Sequence, residues 1–173
     1  MLRIFVTAFS LLLVGACAPH PRSASIAPPD GTINLRIMSW GKTVFAVSAA
    51  PDGNLVFSKA KGDLFGQPPQ QFIEHRVTGD VAGYRRIADA LAPARRYAGT
   101  TVICEQRITD QPYGRVQWSG PPAHHVDLDT GCIAPATSEI AAAVEAARAA
   151  AEAATASAPS NEVIVIEDLP PSQ

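Results

Sequence analysis

Residues His124-His125-Val126-Asp127-Leu128-Asp129 are the densest run of chemistry-capable side chains in the sequence. On a β-strand alternate residues share a face, so His125, Asp127 and Asp129 project together, successive members about 6.8 Å apart. Two such groups can hold one metal ion, with His75 or Glu105 as a third ligand from a neighbouring strand, the arrangement of a metal-dependent hydrolase. The same residues also describe the wet side of a half-buried strand, and no second motif with ligand spacing accompanies them. The wet strand is the favoured reading, with no metal and no cofactor. Ser39-Trp40-Gly41-Lys42 has the Ser-x-x-Lys spacing in which a lysine assists a serine nucleophile. That chemistry needs the serine at a helix start and a later Lys-Thr-Gly. Here the stretch closes a strand pattern and no such tripeptide follows, so the match is coincidental. Nucleophile-elbow, zinc-protease, phosphate-loop and dinucleotide signatures are missing from the sequence. No catalytic residue is assigned, and the chain reads as a non-enzyme.

The elements that must position these residues come from 173 residues, enough for one domain. A net charge of −2 gives no electrostatic pull toward nucleic acid. Arg85, Arg86, Arg95 and Arg96 cluster, but in this acidic chain they read as a solvated helix face rather than an anion site. Charged residues at 17% argue against a disordered polyelectrolyte, and 15 prolines argue against a helical bundle.

The three cysteines divide into one and two. Arg3 supplies a positive start, and Ile4 to Val14 form an apolar run of eleven residues, too short for a membrane span of about 20. The run ends in Leu13-Val14-Gly15-Ala16-Cys17. This resembles the lipobox of bacterial lipoproteins, with Val14 where leucine is commoner. The resemblance implies a signal peptide over 1–16 and Cys17 as an acylated mature N-terminus, several chains making the anchor stable. Ala18, rather than aspartate, implies the outer membrane, with the domain facing the periplasm. Cys104 and Cys132 then remain as an even pair in an oxidising compartment. They read as a disulfide, which on the chain-entropy model stabilises by about 3.6 kcal/mol. The competing reading makes Cys104 a free nucleophilic thiol, which requires a lowered pKa and a nearby histidine.

Residues 17–30, with four prolines, read as a tether about 40 Å long at roughly 3.1 Å per residue. An α+β domain is expected over 31–133: about seven short, mostly antiparallel strands with one inserted helix. Ile33, Leu35 and Ile37 alternate with polar residues, Lys42 to Ala49 continues the pattern, and Pro51-Asp52-Gly53-Asn54 marks a hairpin into Leu55-Val56-Phe57. Phe72 to Val77 makes a fourth strand. Asp80 caps a helix whose Val81, Tyr84, Ile87 and Leu91 share a face, with Pro93 disturbing it and Gly99 ending a further turn. A three-strand meander is predicted next. Thr101 to Thr109 presents Val102, Cys104 and Ile108, the next strand Val116 and Trp118, and the last Val126 and Leu128. Twelve of the twenty residues from Glu139 to Ala158 are alanine, predicting a helix over 137–158 that lies lightly on the domain or projects from it. Residues 159–173 read by default as a flexible tail, although Val163-Ile164-Val165-Ile166 has strand propensity and could instead pair with the chain's own sheet or add a strand to a partner.

The domain loosely resembles small uncharacterised domains of bacterial envelope lipoproteins. The likeness lies in the Asp52-Gly53 hairpin, the Gly83-Tyr84 helix, the turn from Ile108-Thr109-Asp110 to Tyr113-Gly114, and the two cysteines. It implies no activity. The expected role is a binding or structural module of the envelope, held to the membrane by its lipid and engaging an envelope protein. A periplasmic inhibitor of a lysozyme or protease, probing with Leu64–Gln70 or Pro121–His125, is the second reading. The metal-dependent hydrolase is the third.

Overall fold

A computed structural model describes residues 31–63, 70–120 and 124–165. Five strands precede or flank the first helix: β1 (Ile33–Ser39), β2 (Lys42–Ala49), β3 (Leu55–Ala60), β4 (Gln70–Val77), then α1 (Val81–Arg95) and the two-residue β5 (Gln106–Arg107). Next come β6 (Tyr113–Trp118), β7 (His124–Asp129), β8 (Cys132–Ile133), α2 (Pro135–Thr155) and β9 (Ser160–Val165). Seven strands form one antiparallel sheet in the order β7-β6-β1-β2-β3-β4-β9, and β5 pairs with β8 apart from it. This is the expected α+β class. Among the described residues no helix is long and apolar enough to cross a membrane.

The alternation in the sequence is realised directly. Ile33, Leu35, Ile37, Phe45, Val47, Ala49, Leu55 and Phe57 line one buried face, and both helices lie on it. Trp40 and Gly41 make the two-residue β1–β2 hairpin, both with positive φ (52° and 76°), the geometry that matches strand twist. Ser39 and Lys42 are therefore opposite each other at a strand end, which is incompatible with a serine at a helix start. Gly53, at φ +84°, closes the β2–β3 hairpin, and its carbonyl accepts from the Asp80 amide (3.0 Å). Asp80 caps α1 as expected, its carboxylate accepting from Gly83 N (2.8 Å). Tyr84, Ile87 and Leu91 are buried, whereas Val81 stays exposed, and the helix continues through Pro93 to Arg95.

Three expectations are corrected. The segment Thr101–Thr109 is not a strand of the main sheet: only Gln106 and Arg107 pair, and with β8. β6 is flanked by β1 and β7, so both its edges are taken and the segment has only the outside of β7 to lie against. Ile108 is accordingly exposed rather than inward. The alanine-rich helix does not lie lightly on the domain. Ile140, Ala143, Val144, Ala147 and Ala151 are buried in the same core as α1, because small side chains let two helices approach closely. Residues 160–165 of the supposed flexible tail are β9, paired with β4 from Gln70↔Val165 to His75↔Ser160. The α2 C-terminus delivers the chain to the otherwise open edge of β4, and Lys61 Nζ holds Glu162 at 2.5 Å.

Candidate functional site

The β6–β7 register places Arg115 opposite Asp127 and Gln117 opposite His125. His125, Asp127 and Asp129 therefore do share a face, the one turned away from the core residues Val126 and Leu128. Each carboxylate already has a cation. Arg115 Nε donates to Asp127 Oδ1 at 2.6 Å and Nη2 to Oδ2 at 3.3 Å. Arg107 Nη1 lies 3.3 Å from Asp129 Oδ2, and Asp129 Oδ1 accepts from Gly131 N at 3.0 Å. The side chains of His125 and Asp127, 3.8 Å apart, are 50% and 62% exposed, so the pair is open to solvent.

The proposed third ligands do not join them. His75 lies on β4, five strand positions away, a distance of about 24 Å at 4.8 Å per strand, with Nδ1 3.3 Å from the Ala158 carbonyl oxygen. Glu105 is exposed, and its amide donates to Ile133 O in the separate ribbon. Among the described residues no three His, Cys, Asp or Glu side chains converge as metal ligands.

What the structure does build beside His125 is a cleft of about 290 Å³. One wall is β7 from His125 to Asp129. The other is the segment Gly99 to Cys104, with Arg107, Thr137 and Ile140 completing the lining. The Gly99 amide donates to the His125 carbonyl at 3.0 Å and closes one end. Cys104 and Cys132 close the other, their sulfurs 2.09 Å apart and their Cα atoms 5.1 Å apart. The free-thiol reading of Cys104 is thereby corrected, since a bridged sulfur has no thiolate to offer. Replacing both cysteines with serine is expected to cost about 3 kcal/mol, measured by urea denaturation against the oxidised protein.

The arginine cluster is largely spoken for. Arg86 reaches Asp80 at 3.4 Å, Arg95 lies over the Trp118 ring at 5.8 Å, and Arg96 pairs with Glu139, which also accepts from the Tyr97 hydroxyl. These contacts tie α1 to its surroundings, as a structural helix face requires. The loop probes Leu64–Gln70 and Pro121–His125 fall mostly on 64–69 and 121–123, outside the described residues, as do Cys17 and the tether. Sequence reasoning missed the wall from Gly99 to Val102 and Arg107, because their role depends on which strand they lie beside. Compared with family models, curated proteins and solved structures, the chain shows no match in any of the three.

Proposed function

We propose that this chain is a lipid-anchored, non-enzymatic binding module of the bacterial outer membrane, facing the periplasm and holding an envelope protein in the cleft beside β7. The observation that carries the reading is the pairing of the cysteines. With Cys104 and Cys132 at bonding distance, Cys17 is the one left over, and it stands directly after the apolar run and the small residues Gly15 and Ala16. A bridged pair suits an oxidising compartment, and a lone cysteine at that position suits acylation. The charge-balanced, open lining of the cleft suits holding a partner better than activating a nucleophile, because catalysis asks for reactive groups withdrawn from solvent.

The anchor has a direct test. Wild-type protein is expected to sediment with outer-membrane fractions and to show an intact mass beginning at an acylated Cys17. The Cys17→Ala variant is expected in the soluble fraction with no lipid mass. An unacylated wild-type chain beginning at Met1 would overturn the placement. Cross-linking in intact cells separates the roles: recovery of a resident envelope component supports the module, and recovery of a lysozyme or protease supports an inhibitor.

A further inference from the structure

We infer that the cleft receives an extended polypeptide segment, whose backbone adds to the open edge of β7. The inference rests on the binding-module reading and names the chemistry of the partner.

In an antiparallel strand the N–H and C=O of one residue point to the same side, and residues two apart point alike. The His125 carbonyl is turned outward, away from β6, since it accepts from Gly99. Asp127, two residues on, therefore also turns its N–H and C=O outward, into the cleft. Among the described residues, the Gly99–His125 bond is the one backbone hydrogen bond that crosses to this edge. Beyond it, among the described residues, the edge of β7 is a row of unpaired backbone groups, the template on which a further strand assembles.

The facing wall has the same character. It runs in the same direction as β7, because Gly99 is fixed to His125 and Cys104 to Cys132. Thr101-Val102-Ile103-Cys104 has a strand-forming composition, yet it belongs to neither sheet and makes no backbone–backbone hydrogen bond among the described residues. Two walls with open backbone groups thus flank one cleft, bolted at both ends. The volume of about 290 Å³ sits at the lower bound of roughly 300–1,000 Å³ for drug-sized ligands, suited to a few residues of chain. Charge decides the occupant. Arg107 is paired with Asp129, and Asp127 with Arg115, leaving no net charge to select an anion or a cation. A neutral amide backbone complements such a lining, and the Thr101 and Thr137 hydroxyls can serve it, the Thr100 hydroxyl already donating to the Tyr97 carbonyl at 2.6 Å.

The test uses the acylated protein in detergent and a phage-displayed library of linear heptapeptides. Enriched peptides are expected, and methylating their amide nitrogens singly should weaken binding about ten-fold at alternate positions and leave the intervening ones unaffected. Asp127→Pro removes an N–H that faces the cleft and not β6, so the strand ladder is kept and peptide binding is expected to be lost. A library yielding no binder, peptides indifferent to N-methylation at every position, or full binding to a folded D127P protein would overturn the inference. Should D127P fail to fold, a photo-cross-linking residue at Thr101 is expected to capture the peptide, and one at the exposed Arg85 is not. In cells, capture of an envelope protein from Arg85 but not from Thr101 would sink the cleft while leaving the binding module standing.

Discussion

Truncating Ile140 to alanine is expected to lower the unfolding free energy by about 4 kcal/mol, read as a shift of the urea midpoint at unchanged slope. Ile140 is fully buried, and it lies on α2 where that helix meets both α1 and the sheet. The large cost follows from its surroundings. Half of the other buried residues on α2 are alanines, Ala143, Ala147 and Ala151, which have no further side chain to swing into a vacated space. A cavity that cannot collapse adds its own cost to the lost transfer free energy. Ala142→Ser, on the exposed side of the same helix, is expected to change stability by less than about 0.5 kcal/mol. A shift below about 1 kcal/mol for Ile140→Ala would mean that α2 lies lightly on a self-sufficient domain and that the shared core is wrong.

That helix also shows where the sequence stops speaking. Its helical character was plain from alanine content, but its burial was not, because a stripe of methyl groups gives little amphipathic contrast. The inverse holds for β1 to β3. Ile33, Leu35, Phe45, Val47 and Leu55 alternate so clearly that strand, face and hairpin could all be read directly. Asp80 was legible too, since a carboxylate at a helix start has one obvious use, and it is found accepting from Gly83. Alternation names a strand's face and is silent about its neighbours. Val116 and Trp118 point inward as their spacing said, yet nothing local announces that β6 lies between β1 and β7. The segment Thr101–Cys104 shows the consequence: its composition is that of a strand, but the place beside β6 that a meander would give it is taken by β1. The candidate site inherits both halves of the lesson. His125, Asp127 and Asp129 were visible as one face, while the wall opposite and the arginines that neutralise it follow only from topology.

The placement of β6 against β1 rests on Gly114, and substituting it is expected to have the largest effect of any single change here. Both Gly114→Ala and Gly114→Val should lose at least about 4 kcal/mol, seen as loss of soluble expression or of a cooperative urea transition. Gly114 sits opposite Ile37 in the β1–β6 ladder and opposite Leu128 in the β6–β7 ladder. A Cβ there would lie 2.1 Å from the Arg36 carbonyl oxygen and 2.7 Å from Ile37 Cδ1. The first of these is backbone within a central strand and cannot rotate aside. The clash belongs to the first carbon added, so alanine should be nearly as damaging as valine, unlike overpacking faults that grow with side-chain volume. Gly41 and Gly62 make the comparison clean, because a Cβ on either meets nothing within 4 Å. Alanine at those positions should cost only the left-handed backbone penalty, roughly 1–2 kcal/mol. If Gly114→Ala were as mild, β6 could not approach β1 in this register. The strand that carries β7 would then be elsewhere, and the cleft along its edge would lose its floor.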